Sequence, residues 1–301
     1  MEKGNHMSWF QDFPQMDDDS LRSLKQVIDE GFRSFTRGHG DSIENFFAPL
    51  QKFLLLSERF MTQTPWPIIV LIVLAIAWVA SRSLKVVLGA LATLLAIGYF
   101  GMWDDSMRTV SMIFVCTVLS IAMGLPIGIL MARSERLQRL VNPVLDVMQT
   151  MPSFVYLIPV VMLLGIGRVP GLIAVVIYAI PPMIRMTNLG IRLVDKDVLE
   201  AADAFGSSSW QKLRNVQLPL ALPTIMAGIN QTIMMALAMV VIASMIGVQG
   251  LGQPVLKAIA NQYFTLGIFN GLAIVGIAII FDRISQAYGQ RLQKHLEVVH
   301  G

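Results

Sequence analysis

The sequence predicts an all-α membrane protein, a polytopic bundle of about seven transmembrane helices. Of its 301 residues, 54% are hydrophobic and 14% are charged, and the mean hydropathy of +0.62 lies outside the range of soluble globular domains. A hydrocarbon core about 30 Å thick needs about 20 apolar residues for each helical crossing, and the chain contains seven apolar runs of that order. These runs are continuous and do not alternate in polarity, so they favour helices over a closed barrel.

Residues 1–64 differ in character from the rest of the chain and are predicted to form an extracytoplasmic, amphipathic segment. Apolar residues recur at helical spacing over 21–32 and again over 43–60, but neither stretch is long or apolar enough to cross a membrane. The apolar run that follows a basic start in a signal peptide is missing. Two interpretations stay open: a pair of interfacial helices that brace the bundle from outside, or a poorly ordered tail.

The seven apolar runs are the candidate transmembrane helices. They define a membrane domain over 65–289, followed by a short tail over 290–301. The runs cover residues 65–80, 84–103, 110–131, 147–167, 171–189, 218–247 and 266–281. Charged residues lie at the edges of these runs, so we expect an inserted bundle without a buried ionic relay.

Lysine and arginine residues are distributed unequally between the two sides of this predicted bundle. The richer side holds thirteen of them, namely Arg82, Lys85, Arg133, Arg136, Arg139, Arg185, Arg192, Lys196, Lys212, Arg214, Arg283, Arg291 and Lys294. The short loops of the other side hold only Arg108, Arg168 and Lys257. The positive-inside rule therefore predicts a cytoplasmic C-terminus and, because the number of spans is odd, an extracytoplasmic N-terminus. The net charge of +3 reflects this asymmetry and gives no argument for nucleic acid binding.

No pattern in the sequence is typical of catalysis, so we predict no catalytic residue, no metal site and no cofactor in this chain. Cys116 is the only cysteine and falls inside a predicted span, where we expect it to be a packing residue. The four histidines are scattered, and there is neither a Walker-type phosphate loop nor a nucleophile elbow. The predicted midplane is nearly free of the ionisable groups that ion-coupled carriers need. If the chain moves a solute, we expect a separate protein to supply the energy.

The segment 193–217 is polar and charged although it lies between two long apolar spans. Its sequence predicts a short helix that Asp195 or Asp197 caps and Gly206 ends. By the charge distribution, this helix faces the cytoplasm. An exposed helix of this kind is suited to dock in a groove of another protein, so we interpret the segment as a coupling element.

The residues of this segment also follow a recognisable spacing. The pattern E-A-A-x3-G-x9-I-x-L-P, with valine in place of isoleucine, is met by Glu200, Ala201, Ala202, Gly206, Val216, Leu218 and Pro219. It resembles the coupling loop in permease subunits of bacterial ATP-binding cassette (ABC) importers. Each position has a physical reason: two alanines let the helix seat closely in a groove, Gly206 permits a left-handed turn, and Pro219 lies near a helix start.

Three further stretches, 145–167, 180–190 and 222–252, are similar to the permeases of glycine betaine, proline and choline importers. The resemblance implies a type I importer permease fold and a homodimer in the bacterial inner membrane. It also implies a cytoplasmic ABC ATPase that binds ATP and magnesium, and an extracytoplasmic substrate-binding protein. The chain itself would be the non-catalytic subunit that translocates choline, glycine betaine or proline betaine. Alternatives are another small solute for a permease of this class, a self-sufficient secondary transporter, and a membrane scaffold.

Polar and aromatic residues within two spans are candidates for a translocation path. They are Gln149, Pro152, Ser153, Phe154 and Tyr156 in the run 147–167, and Asn230 and Gln231 in the run 218–247. Buried amides also commonly hold membrane helices together, which is the alternative role of the last two. Aromatic side chains that hold a quaternary ammonium by cation–π attraction are few in the spans, so we expect the binding protein to do most of the selecting.

Overall fold

The computed structural model describes the backbone of residues 15–300, and the side chains in that range except those at 37, 39–45, 292 and 294–300. Residues 1–14 and Gly301 of the two predicted terminal segments therefore lie outside the described residues. Within the described range the chain is helical and contains no strand. The α-helices are α1 (Asp18–Gln63), α2 (Trp66–Ser81), α3 (Leu84–Tyr99), α4 (Trp103–Arg133), α5 (Glu135–Thr150), α6 (Leu157–Leu164), α7 (Arg168–Arg192), α8 (Lys196–Ala204), α9 (Ser209–Lys212), α10 (Leu218–Ala243), α11 (Gly252–Asn261) and α12 (Phe264–His300).

The described residues fall into two compact units, one up to Phe47 and one from Ala48 onward. The first unit exposes apolar side chains of α1, among them Val27 and Ile28. The two amphipathic stretches near the N-terminus belong to one continuous helix, α1. The residues between them, 33–42, include two glycines but no proline, and glycine weakens a helix without blocking it.

In the second unit, each of the seven predicted apolar runs coincides with an apolar helix or a bent pair of helices. Four helical stretches are long and apolar enough to cross a membrane: Trp103–Arg133, Arg168–Arg192, Ser209–Ile246 and Phe264–Arg291. Two bent pairs pass the same test when each is taken as one span, and α3 is a shorter apolar helix. The predicted all-α membrane bundle is therefore confirmed. The predicted tail over 290–301 continues α12 as far as His300.

The run 147–167 is broken near its start, where Pro152 favours a kink. Helix α5 ends at Thr150, a 3-10 turn follows at Ser153–Tyr156, and the two parts of the pair make an angle of 111°. Met151 is extended, with φ of −67° and ψ of 133°, because the ring of Pro152 disfavours a helical conformation in the residue before it. A similar bend of 108° separates Phe46–Gln63 from α2, at the sequence Thr64–Pro65.

Helices α4, α7 and α10 form the centre of the second unit, with α7 packed against both of the others. Small residues allow this close approach. A Cβ at Gly128 of α4 would lie 2.6 Å from the Thr187 Cβ of α7 and 2.8 Å from the Ile184 carbonyl oxygen. Glycine contacts of this kind are typical of helix packing in membranes. Cys116 lies in the same core and is fully buried, as expected of a packing residue.

Candidate functional site

Helix α8 forms the start of the predicted coupling segment, and its two ends are capped as the sequence predicts. The Asp195 carboxylate accepts a hydrogen bond from the backbone N–H of Asp197 at 2.9 Å, so Asp195 is the capping residue of the two candidates. At the other end Gly206 takes a left-handed conformation with φ of +75°. The Gly206 N–H donates to the Asp203 carbonyl at 2.9 Å, and the Ser207 N–H donates to the Ala202 carbonyl at 3.0 Å. These two bonds form a Schellman motif, which needs a residue that tolerates positive φ.

A sharp corner joins α8 to α9. Ser208 caps α9 in a reciprocal arrangement in which its hydroxyl accepts from the Gln211 N–H and the Gln211 side chain accepts from the Ser208 N–H. The Lys212 ammonium closes the corner by contacting both carboxylate oxygens of Asp203, at 2.6 and 2.8 Å. The corner is therefore held by three sets of polar contacts and needs no partner to define its shape.

The corner continues into α10 through a π-helical turn at Leu213–Gln217. Leu213 is buried and Val216 is half-buried, while Pro219 occupies the first turn of α10. Taken together, Ser209–Ile246 form one 38-residue helical stretch. Helix therefore joins helix here without an irregular loop, and the corner is continuous with a helix long and apolar enough to cross a membrane.

Two large aromatic side chains are exposed on the otherwise mostly polar surface of the corner. Glu200 and Ala201 are exposed, but Ala202 is buried within the chain, so only one of the two alanines faces outward. Phe205 is 91% exposed and Trp210 is 60% exposed. These two aromatic residues were not among the predicted site residues, although large aromatic side chains in a polar segment are a signal that the sequence contains. Exposed aromatic residues are frequent anchors of protein interfaces.

The candidate path residues near the break after α5 differ in how far their side chains are exposed. Gln149, Pro152 and Phe154 are exposed, and Ser153 is half-buried. Tyr156 points inward: its hydroxyl donates to the Met148 carbonyl and its ring meets the ring of Tyr178 edge-on at 5.6 Å. The 3-10 turn that carries Ser153 and Tyr156 packs against α10, so the two groups of path candidates lie on adjoining elements.

On α10, neighbouring amides have different surroundings. The Asn230 amide donates to the Asp282 carboxylate of α12 at 3.0 Å, and its oxygen accepts from the Ser285 hydroxyl. Asn230 therefore links two membrane helices. Gln231 is exposed in the middle of an apolar helix. Ala227, Ala238 and Met245 are exposed on the same face, at helical spacings from Gln231.

A polar network lies near the start of α4 and of α7. The Glu58 carboxylate of α1 contacts Arg168 Nη1 at 2.7 Å and faces Arg108 Nε at 3.6 Å. A second Arg168 nitrogen, Nη2, donates to the Gln249 amide oxygen at 2.5 Å. Beside this network, the Ser111 and Ser57 hydroxyls are 2.9 Å apart. The network connects α1, α4, α7 and the turn after α10, and the sequence analysis did not predict it.

Comparisons with known proteins agree on the family. Residues 124–294 match the model of the family described as binding-protein-dependent transport system inner membrane component. The chain is 47% identical over 242 residues to the glycine betaine/proline betaine transport system permease protein ProW of Escherichia coli K12, which covers 80% of this chain and 68% of that protein. It is 48% identical over 229 residues to the glycine betaine/carnitine transport permease protein GbuB of Listeria monocytogenes, covering 75% and 81%.

A solved structure supports the fold. The inward-facing MetNI methionine ABC transporter aligns with a TM-score of 0.56 at 21% identity, over 62% of this chain and 93% of the matched chain. This likeness shows the type I importer permease fold and nothing about the solute. The matched family region extends from α4 to α12 and includes the α8–α9 corner. This chain therefore belongs to the family of inner membrane components of binding-protein-dependent transport systems, the permease subunits that carry no catalytic site of their own.

Proposed function

We propose that this chain is the permease subunit of an ATP-driven importer that moves quaternary ammonium solutes, such as glycine betaine, proline betaine and choline, across the bacterial inner membrane. The observation that carries the proposal is the α8–α9 corner: a self-supported, aromatic surface that is helically continuous with α10. The solute class is supported by relatives nearly half identical to this chain, which are permeases for glycine betaine with proline betaine or carnitine.

The corner is the docking surface for a cytoplasmic ABC ATPase, which binds ATP and magnesium in place of this chain. Phe205 and Trp210 are the apolar anchors, Ala201 allows close approach and Glu200 offers a charge at the rim. Gly206 ends the docked helix. The corner is connected to α10 by the residues that follow it in the chain, which include Val216, Leu218 and Pro219.

Two copies of the chain enclose the translocation path, and the exposed face of α10 lines it. An amide side chain such as Gln231 is costly to expose to lipid, so a second copy or water is expected to cover it. Gln149, Pro152, Ser153 and Phe154 extend this surface. Tyr156 and Asn230 support the path from behind, since both are engaged within the chain.

The orientation follows the charge asymmetry, with the α8–α9 corner and the tail 290–301 in the cytoplasm and residues 1–64 outside. The polar network of Glu58, Arg108 and Arg168 then lies at the extracytoplasmic end, where a substrate-binding protein delivers the solute. ATP binding closes the two ATPases and moves the docked corners together. Rotation of the helices in the membrane domain, 65–289, then opens the path outward, and hydrolysis restores the inward-open state.

Reconstitution in proteoliposomes tests this function. We expect uptake of radiolabelled glycine betaine only when the chain is combined with its ATPase, its binding protein and internal ATP. Uptake by the chain alone supports a secondary transporter instead. Uptake of a solute without a quaternary ammonium, to the exclusion of glycine betaine and choline, supports a permease of this class with another substrate.

Cysteine cross-linking tests the dimer, and it is specific because the native Cys116 is buried. Oxidation of Gln231→Cys should cross-link two copies, whereas oxidation of Leu272→Cys, on the exposed surface of α12, should not.

A further inference from the structure

A cavity of about 470 Å³ lies between the start of α4, the end of α10, α11 and the start of α12. Its polar side chains are the Asp105 carboxylate, the Ser244 hydroxyl, the Gln253 amide and the Lys257 ammonium. The remaining wall is apolar and is formed by Pro254, Leu256 and Leu266. One cavity therefore presents a negative charge, a positive charge and an apolar surface. The exposed α10 face assigned to the path differs because the residues described on it carry no charge.

Asp105 is only weakly engaged within the protein. Its carboxylate oxygen is 3.9 Å from Arg108 Nη1, beyond hydrogen-bonding distance. Arg108 also faces Glu58 at 3.6 Å, so one guanidinium is shared between two carboxylates. The Asp105 side chain forms no hydrogen bond with the part of the chain that the structure describes. Its negative charge is thus available to a cation in the cavity.

Gln253 and Lys257 are positioned by the short helix α11. They are four residues apart, so both lie on one face of that helix, and both are exposed. Among the described side chains, Lys257 has no ion-pair partner within 4.0 Å. Within the described part of the chain, the Lys257 ammonium and the Gln253 amide are therefore not engaged in an ion pair or a side-chain hydrogen bond, and both line the same cavity as Asp105.

The position of α11 relative to α4 is fixed by close contacts. The Leu251 N–H donates to the Thr109 hydroxyl of α4 at 2.9 Å. A Cβ at Gly252 would lie 2.1 Å from the Ser244 hydroxyl oxygen and 2.9 Å from the Val241 carbonyl oxygen, so only glycine fits there. The start of α11 is consequently fixed against α4 and against the end of α10, so the backbone on these sides of the cavity is positioned by the fold.

We propose that this cavity is a low-affinity site for a zwitterion that carries a quaternary ammonium and a carboxylate, a proposal that rests on the proposed function. Asp105 faces the ammonium, and Lys257 with Gln253 receives the carboxylate. A quaternary ammonium has no N–H to donate, so it needs charge and apolar contact and no directed hydrogen bond. The Asp105 carboxylate supplies the charge, and Pro254 with the leucine methyl groups supplies the apolar contact. A carboxylate accepts charge-assisted hydrogen bonds, which Lys257 supplies. The site would receive the solute at the extracytoplasmic end, ahead of the α10 face.

Two probes that differ in the carboxylate test the assignment. Glycine betaine carries both charges, whereas choline carries only the ammonium. Saturation-transfer NMR on the methyl protons measures their binding to the full chain in complex with its ATPase, in lipid nanodiscs without ATP or binding protein. For Lys257→Gln we expect roughly tenfold weaker binding of glycine betaine and unchanged binding of choline, because one charge-assisted contact is lost. For Asp105→Asn we expect roughly tenfold weaker binding of both probes.

Control variants separate the site from general damage. Ile259→Gln alters an exposed residue of α11 that does not line the cavity, and it should leave both probes unchanged. Lys257→Arg keeps the positive charge and should retain glycine betaine. Each variant must keep the basal ATP hydrolysis of the wild-type complex, which excludes misfolding.

The proposal is overturned if the wild-type complex saturates neither probe, if Lys257→Gln weakens choline as much as glycine betaine, or if neither substitution changes binding. Uptake by the wild-type complex separates a failure of the cavity assignment from a failure of the proposed function. If the wild type transports glycine betaine and the variants bind and transport it normally, the cavity assignment fails and the proposed function stands. If the wild type transports no quaternary ammonium solute, the proposed function fails first.

Discussion

Replacement of Gly206 by valine should uncouple ATP hydrolysis from transport without affecting assembly in the membrane. Gly206 has φ of +75°, and no atom lies within 4 Å of the position that a Cβ would occupy. The substitution therefore introduces backbone strain and no clash. A non-glycine residue in this left-handed region costs about 1–2 kcal/mol, with β-branched residues at the upper end. The equilibrium between the capped end of α8 and frayed conformations then shifts by roughly five- to thirtyfold.

The assay is ATP hydrolysis stimulated by the solute-loaded binding protein, measured on the reconstituted complex. We expect Gly206→Val to lose most of the stimulation while its membrane insertion stays normal. Gly206→Asn should stay close to wild type, because asparagine tolerates this conformation. Gly101 offers a matched control: it has φ of +74° and equally empty surroundings, but lies between α3 and α4. Full stimulation in Gly206→Val, or an equal loss in Gly101→Val, would refute the reasoning.

Three further predictions, based on four substitutions, test other parts of the structure. Phe205→Ala should weaken association with the ATPase by about 2 kcal/mol, the usual cost of truncating an aromatic anchor, measured by titrating the ATPase onto the chain in nanodiscs. Gly128→Val should lower the thermal unfolding midpoint, because overpacking the contact of α4 with Thr187 costs about 1–3 kcal/mol. Glu58→Gln and Arg168→Gln should each destabilise the protein, and a double-mutant cycle should give a coupling free energy of about 1 kcal/mol, since both groups are partly exposed.

Each of these predictions has a control in the same chain. Ile259→Ala removes an exposed apolar residue away from the corner and should not change ATPase association. Gly271 has no atom within 4 Å of its Cβ position, so Gly271→Val should leave the unfolding midpoint nearly unchanged. Asp19 pairs with Arg22 at a highly exposed site, and Asp19→Asn should not alter stability measurably. Equal effects in test and control variants would contradict the structural reasons given.

The parts of the fold that depend on local sequence were predictable. Apolar run length located the membrane helices, and the caps of α8 followed from Asp195 and Gly206, because capping acts within a few residues. The break at Met151 is also a local effect, since Pro152 favours a kink at the start of the run 147–167 and restricts the conformation of the residue before it.

The features that depend on contacts between distant residues were not predictable. Arg168 meets Glu58 across 110 residues, and a single sequence gives no indication of that pairing. The orientation of Ala202 toward its own chain was missed for the same reason, because the surface it faces is formed only when α9 and the π-helical turn fold back on α8. The cavity beside Asp105 likewise combines residues from four separate elements.

The pairing of Glu58 also sets an order of events during biosynthesis. Arg168 leaves the ribosome 110 residues after Glu58, and at about 5–20 residues per second this delay is roughly 6–20 s. During that interval the carboxylate lacks its closest basic partner. Residues 48–63 of α1 can therefore form this ion pair only after the start of α7 has been made, whereas the contacts of Glu58 and Ser57 with α4 need only residues up to Ser111. The junction of α1 with the membrane helices is consequently completed in two steps, first with α4 and later with α7.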